Sequence, residues 1–122
     1  MAQRLQSIVH NRAQTGVLEL VGDLDIATEP ALRAVLAELR AHHVLVVDLH
    51  GVLFCGARAL RVLLDAASER AAGDHVLVLA HRPPMVARLI ELLPVRCHPH
   101  PVPDDPTAVR ISWAGPRSAP GA

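Results

Sequence analysis

Two cysteines and eight histidines carry the most reactive side chains of this 122-residue sequence. The segment Cys97-His98-Pro99-His100 combines a thiol with two imidazoles, and His42-His43 adds two further potential metal ligands. No set among them has an established zinc spacing, and a chain of this length can fold without a metal. We therefore predict neither a metal site nor a cofactor.

A nucleophilic or redox role would fall first on Cys55. It lies near the predicted amino end of a helix, a position that lowers thiol pKa values. The alternative, which we favour, is a small buried apolar residue that follows Phe54. No phosphate-binding glycine loop, G-x-S-x-G or HExxH motif occurs, so the sequence predicts no enzyme. The serines lie inside a predicted helix or near the termini: Ser7, Ser68, Ser112 and Ser118.

Charged residues gather at two predicted loops. Asp23, Asp25 and Glu29 form an acidic group, and Arg58 and Arg61 follow the central loop. The acids could be a solvated loop with charge favourable to a helix start, or part of a partner surface. The arginines could pair with Asp23 or Asp25, or contact an acidic partner. Such exposed pairs contribute more to specificity than to stability.

Two further polar residues belong to the same group of candidates. Asp48 ends the central apolar run, where we expect it to accept loop N–H groups in preference to contacting a partner. Thr28 precedes Pro30 and is therefore predicted as a helix N-cap.

The element that must position these side chains runs from Val44 to Ala67. Val44 to Leu49 is a short β-branched run, typical of a strand buried on both faces. We predict a connector from His50 to Ala57. The helix after it has an apolar stripe at i, i+3, i+4 and i+7, formed by Leu60, Leu63, Leu64 and Ala67.

The rest of the chain repeats this alternation. Strands are predicted near residues 5–9, 17–21 and 75–80, with a poor edge strand at 95–102. Helices are predicted after Thr28 and after Pro83, and a short one at 104–109. This is an α/β fold, a single domain at residues 1–112 with a mixed, mainly parallel sheet covered by amphipathic helices. Right-handed crossovers should make the 23–28 and 54–58 loops neighbours, and residues 113–122 read as a flexible tail.

Composition excludes several partners. The twelve arginines are spread along a chain with zero net charge and no lysine, and they form no basic stripe. The sequence therefore does not predict nucleic-acid binding. Phe54 and Trp113 are the only aromatic residues among Phe, Tyr and Trp, too few for a base-stacking platform. No export signal or long apolar span is visible, so we predict no membrane association and a cytoplasmic location.

Four segments in order resemble the STAS domain family, the bacterial anti-sigma factor antagonists. Val17 to Thr28 resembles the family's "GELD" opening, and Val46 to Phe54 resembles its "vDLsgvtf" strand. Leu60 to Leu63 is similar to the "lrvL" helix, and Pro84 to Leu92 to the "p.varvLel" helix. The resemblance extends from about Leu5 to Val109.

The resemblance implies a non-catalytic module that binds an anti-sigma factor with a kinase-like ATPase fold. The family carries an "iDSsG" motif whose serine accepts phosphate. Here Gly56 replaces the aspartate and Ala57 the serine, with Arg58 and Ala59 after them. We therefore expect no phosphorylation at this position.

The predicted partner-binding residues are those of the two loops and their flanks: Asp23, Asp25, Thr28, Asp48, Gly56, Ala57, Arg58 and Arg61. Two alternatives stay open, a small-ligand or redox sensor that uses Cys55 or the 97–100 segment, and a structural subunit of a regulatory assembly.

Overall fold

A computed structural model of the chain describes residues 5–114. It has one six-stranded sheet and three helices, and the alternation of strands and helices predicted from the sequence is confirmed. In chain order the elements are β1 (Gln6–Arg12), β2 (Thr15–Leu24), α1 (Glu29–Glu38), β3 (Val44–Cys55), α2 (Ala57–Ala71), β4 (Val76–Ala80), α3 (Pro84–Leu92), β5 (Val95–Pro99) and β6 (Val109–Trp113).

The sheet is mixed, with a parallel centre. Its strand order is β1-β2-β3-β4-β6-β5. β2, β3 and β4 run parallel, whereas β1 joins β2 as an antiparallel hairpin and β6 pairs antiparallel with both β4 and β5. The two helical crossovers, β2-α1-β3 and β3-α2-β4, progress in the same direction. Because crossovers of this kind are right-handed, α1 and α2 lie on the same face of the sheet.

All three helices share one apolar core with that face of the sheet. Leu32 of α1, Leu60 and Leu63 of α2, and Val86 of α3 belong to a single buried cluster with the inward side chains of the strands. Prolines open α1 and α3, at positions where a missing N–H costs little. The core stripes that the sequence predicts are therefore confirmed.

The opposite face of the sheet has no helix among residues 5–114. A second, smaller cluster covers part of it, where Val102 and Ala108 pack near Val46, Val78 and Ala80. Leu45, Val46 and Val47 are all buried, which confirms that the central strand is enclosed on both faces. The expected short helix at 104–109 is wrong: a turn with a bridge between Val102 and Asp105 leads directly into β6.

Two expected boundaries also change. The predicted connector from His50 to Ala57 is mostly strand, because β3 continues to Cys55 and pairs with β2 as far as Leu24, with two register shifts along the pair. Trp113 belongs to β6, and the Ala114 N–H bonds to the Pro94 carbonyl oxygen at 2.7 Å. The tail expected from residue 113 is therefore not observed at Trp113 and Ala114, and the rest of that prediction, residues 115–122, lies outside the described part. No helix within 5–114 has the length and apolarity needed to cross a membrane.

Candidate functional site

The two loops predicted to be neighbours meet at the carboxyl ends of β2 and β3. Asp23 is the register partner of Phe54, and Leu24 that of Cys55. The Gly56 N–H then bonds to the Leu24 carbonyl oxygen at 3.0 Å. The prediction that the 23–28 and 54–58 loops are neighbours is confirmed, because the pairing of β2 with β3 continues up to the start of α2.

A compact turn precedes α1. The Asp25 carboxylate accepts the Thr28 N–H at 3.0 Å, and the Thr28 hydroxyl accepts the Asp25 N–H at 3.0 Å. The same hydroxyl donates to the Asp23 carbonyl oxygen at 2.7 Å. Thr28 does occupy the N-cap position of α1, but its side chain makes no cap bond to the helix. Its hydroxyl instead fixes the turn that carries Ile26.

Arg58 joins the starts of α2 and α1. Its Nε donates to Glu29 Oε1 at 2.6 Å, and the other Glu29 oxygen accepts Arg33 Nε at 3.0 Å. The hydrogen bond from Arg58, followed by the one from Arg33, holds the pKa of Glu29 below its ordinary value. The partner of Arg58 is therefore Glu29, and the expected pairing with Asp23 or Asp25 is not observed.

Arg61 lies one turn further along α2 and faces elsewhere. Its guanidinium stands 5.4 Å from the ring centroid of Trp113, in a cation–π contact with the last residue of β6. The structure thus separates Arg61 from Arg58, although the sequence placed both at one loop.

Three large apolar side chains of these two segments are exposed, and the sequence reasoning missed them. Ile26, Leu53 and Phe54 are 72%, 61% and 51% exposed. A Cβ added to Gly56 would stand 3.7 Å from the Phe54 ring, so the ring lies against the helix start. One signal was available: Leu53-Phe54 lies in a strand, where neighbouring side chains point to opposite faces. We call Ile26, Leu53, Phe54, Gly56, Ala57 and Arg58 the Phe54 edge.

The start of α2 is the position where the family motif places its serine. Gly56 is the N-cap, in an extended conformation, and no side chain caps the helix there. Such a helix end carries free N–H groups and a partial positive charge. Ala57, exposed in the first turn, supplies no hydroxyl to bring an anion to these groups.

Asp48 lies apart from the Phe54 edge. Its carboxylate accepts the His50 N–H at 2.9 Å, as the capping interpretation predicts, and stands 3.3 Å from His81 Nδ1. It faces the helix-free side of the sheet, in a groove of about 760 Å³ whose walls include Glu19 and Asp104. Because β3 continues seven residues beyond Asp48, this residue is not at the strand end.

His81 connects that groove to the 102–108 turn. The backbone N–H of His81 donates to Asp105 Oδ2 at 2.7 Å. The Asp105 carboxylate also accepts the backbone N–H and the hydroxyl of Thr107. Burial lowers the pKa of His81, but its bond to the Asp104 backbone and the nearby carboxylates, led by Asp48, raise that pKa overall. The bonds from Thr107 and His81 hold the pKa of the buried Asp105 below its usual value.

The two free cysteines differ in their surroundings. Cys55 is buried, and burial raises the pKa of its thiol to about 11, so the thiolate is disfavoured at neutral pH. Cys97 is exposed on the edge strand β5. Within residues 5–114, no three His, Cys, Asp or Glu side chains are grouped so that they could hold a metal ion.

Comparisons with known proteins agree with this architecture. The family model described as "Mlab, STAS domain" matches residues 8–96. An anti-sigma factor antagonist from Mycobacterium paratuberculosis is similar in structure, with 27% identity, a TM-score of 0.64, and coverage of 72% of this chain and 76% of that one. None of the curated proteins matches the sequence.

Two structures of SpoIIAA share the fold. The anti-sigma factor antagonist SpoIIAA in its unphosphorylated form is 18% identical, with a TM-score of 0.63 over 71% of this chain and 79% of that one. The Bacillus cell fate determinant SpoIIAA in its phosphorylated form is 16% identical, with a TM-score of 0.62 over 71% and 82%. Because the family model spans well over half of the sequence, the chain belongs to the STAS domain family.

Proposed function

We propose that this protein is a non-catalytic regulatory module that binds an anti-sigma factor through the Phe54 edge. The observation that carries the proposal is the exposed Phe54 ring beside the uncapped start of α2, with Ile26 and Leu53 exposed on the adjoining segments. An anti-sigma factor antagonist has a similar structure at 27% identity. The partner has a kinase-like ATPase fold, as the family resemblance implies.

The chemistry of the Phe54 edge suits a protein partner. Large apolar side chains at the centre of an interface, surrounded by polar groups, usually contribute most of the binding energy. Phe54 provides that centre beside the start of α2. The hydrogen-bonded turn from Asp25 to Thr28 fixes the segment that carries the exposed Ile26. Preordering of this kind lowers the entropic cost of association.

Arg58 gives the surface its charge preference. The guanidinium is held toward Glu29, yet its side chain is 69% exposed and can still meet an acidic group of the partner. Asp23, the register partner of Phe54, and Asp25, in the turn before α1, add acidic groups next to the Phe54 edge. Asp48 and Arg61 lie outside the edge, and we leave them out of the proposed contact.

Binding at this edge is constitutive in our proposal. A phosphate at the start of α2 would add a charge of about −2 between the Phe54 ring and Arg58. Ala57 cannot accept it, so the surface stays in one charge state. The protein would then hold its partner without a kinase-operated release.

Titration calorimetry against candidate anti-sigma factors of the host tests this function. Phe54→Ala should weaken binding by about 30-fold, equivalent to about 2 kcal/mol, because a central aromatic contact is lost. Arg58→Glu should weaken it less. Leu92→Ala is the matched control, since Leu92 is also a large, exposed apolar residue but lies at the end of α3.

Equal affinities for wild type and Phe54→Ala would remove the Phe54 edge from the interface. Failure of the wild type to bind any anti-sigma factor of the host would contradict the function itself.

Phosphorylation provides a second test. No hydroxyl lies between His50 and Ser68, so incubation with ATP and a partner kinase should add no phosphate to that segment. Intact-mass and peptide measurements check this. The double variant Gly56→Asp/Ala57→Ser is the positive comparison, because it restores the motif at an exposed helix start. A phosphopeptide from residues 50–67 of the wild type would refute the expectation.

A further inference from the structure

The two edges of the sheet differ in how they are protected. Within residues 5–114, no strand pairs with the outer side of β1, and all seven residues of β1 are exposed. At the other edge, Pro99 lies in β5, and Pro94 and Pro101 stand close to its ends. Prolines are a common device that prevents strand addition at sheet edges. β1 contains no proline, and its centre is the apolar pair Ile8-Val9.

The hairpin geometry shows which backbone groups of β1 are available. Ala13 and Gln14 form a two-residue turn closed by the pair Arg12 and Thr15. A closing pair of this kind is hydrogen-bonded, and bonded pairs alternate along an antiparallel ladder. Arg12, His10, Ile8 and Gln6 therefore bond to β2. The N–H and C=O groups of Ser7, Val9 and Asn11 point away from the sheet.

We propose that β1 pairs with β1 of a second copy of this chain, antiparallel, about a two-fold axis at Val9. The axis makes Val9 its own partner and joins the two sheets into one of twelve strands. It is also the register in which all seven residues of β1 pair and the outward groups bond to each other. The pairs are Val9 with Val9, Ser7 with Asn11, Ile8 with His10, and Gln6 with Arg12.

The side chains fit this register. Arg12 lies opposite the neutral Gln6, so no two like charges face each other. Ile8 and Val9, which are 46% and 39% exposed, gain cross-strand neighbours on opposite faces of the sheet. The imidazole of His10 already contacts the carboxylate of Glu19 in its own chain.

The interface is small, which sets the expected strength. Two seven-residue strands bury less than the roughly 1,200 Å² at which stable interfaces begin. The dimer should therefore form in a concentration-dependent way, with a dissociation constant in the micromolar range or above. This contact is separate from the Phe54 edge, and each can fail without the other.

Sedimentation equilibrium over about 1 to 1,000 μM measures the dimer directly. The wild type should shift from monomer to dimer across the series. Val9→Pro should stay monomeric and folded, because the Val9 N–H points outward and does not bond to β2. Val9→Lys places two like charges at the axis and should raise the dissociation constant by about tenfold or more. His98→Lys, on the opposite edge strand, is the matched control and should dimerise like the wild type.

Disulfide trapping tests the register in a Cys97→Ser background. Residues paired across the axis have Cα atoms about 5.5 Å apart, within the range for a disulfide. Val9→Cys should therefore cross-link rapidly on oxidation. Ile8→Cys should not, because Ile8 faces His10 and its two copies lie beyond about 7 Å. A wild type that stays monomeric throughout, or equal cross-linking of the two cysteine variants, would overturn the proposal. Dimerisation of Val9→Pro and Val9→Lys at wild-type strength would overturn it as well.

Discussion

The two arginines near the ends of α2 have the same chemistry and opposite surroundings. Arg58, in the first turn, is exposed and bonds to a single carboxylate, that of Glu29. Arg70, in the last turn, is buried and donates to three backbone carbonyls, those of Val76, Leu39 and His42. Burial lowers the pKa of Arg70, but a guanidinium stays charged at any ordinary pH.

The two ends of α2 therefore have different roles. At its carboxyl end, Arg70 ties together the end of α1, the approach to β3 and the start of β4. At its amino end, the Phe54 edge exposes apolar and charged groups with few ties. The side-chain hydrogen bonds that fix α2 to the rest of the fold are therefore concentrated at its carboxyl end. The amino end of α2, where we propose that the partner binds, has fewer of them.

The largest effect should follow when the Arg70 anchor is broken. Arg70→Leu leaves three carbonyl oxygens without their donor, and each unpaired buried group costs about 1–3 kcal/mol. We expect the free energy of unfolding to fall by about 3 kcal/mol or more, measured by urea denaturation. Arg70→Lys should recover part of this loss, because an ammonium cannot reproduce the planar fork of donors.

Arg88→Leu is the control for that experiment, since Arg88 is exposed on α3. A surface substitution of this kind should stay within about 0.5 kcal/mol of wild type. If Arg70→Leu were equally mild, Arg70 would not be the anchor of that end, and the comparison of the two helix ends would fail.

An intermediate effect is expected at Asp105, which anchors the 102–108 turn over the helix-free face. Asp105→Asn replaces an acceptor of the His81 N–H with an amide that cannot satisfy all three donors. The free energy of unfolding should fall by about 1–3 kcal/mol at pH 7. Asp104→Asn is the matched control, because the Asp104 side chain is 80% exposed.

The same anchor predicts a pH dependence. The pKa of Asp105 is lowered in the folded protein, so its contribution is fully present above the unfolded value of 3.8. That contribution is lost as the pH falls through the lower, folded pKa. The stability difference between wild type and Asp105→Asn should therefore shrink below about pH 4. A difference that is constant from pH 7 to pH 3 would contradict the ionised form of Asp105 as the anchor.

The parts of the fold that follow local patterns could be predicted from the sequence. Short-range rules identify α2 by its apolar stripe of Leu60, Leu63 and Ala67. They identify α1 and α3 by the prolines at their starts. Arg70 could also have been noticed, because it continues the 60-63-67 spacing onto the buried face. By contrast, β3 extends past Gly51 because β2 pairs with it as far as Cys55, and that information is not local. The 102–108 turn likewise depends on contacts with His81, more than twenty residues away in sequence.

The candidate site divides in the same way. The meeting of the 23–28 and 54–58 segments follows from parallel topology, so the sequence was sufficient for it. The Arg58 partner was mistaken because Asp25 is used by Thr28 within its own turn, which leaves Glu29 as the available carboxylate. Asp48 was grouped with the candidate residues of the two loops because the strand was expected to end there.

The smallest effect is expected at the Arg58 end itself. Arg58→Gln removes the strongest hydrogen bond that lowers the pKa of Glu29, while Arg33 still contacts the other oxygen at 3.0 Å. The pKa of Glu29 should rise toward 4.5 without reaching it. Carbon-13 NMR titration of the Glu29 carboxyl group measures this. Arg61→Gln should leave the pKa of Glu29 unchanged, because Arg61 lies over Trp113.

The stability of this variant should match wild type at neutral pH, because an exposed ion pair is screened by solvent. Any contribution that the pair makes is present above the unfolded pKa of Glu29, since the folded value is the lower one, and it is lost as the pH falls through that folded value. A clear loss of stability at pH 7 would make Arg58 a second structural anchor and remove the contrast with Arg70. An altered Glu29 pKa with unchanged stability would instead leave Arg58 held in place, exposed, and available to a partner at little cost to the fold.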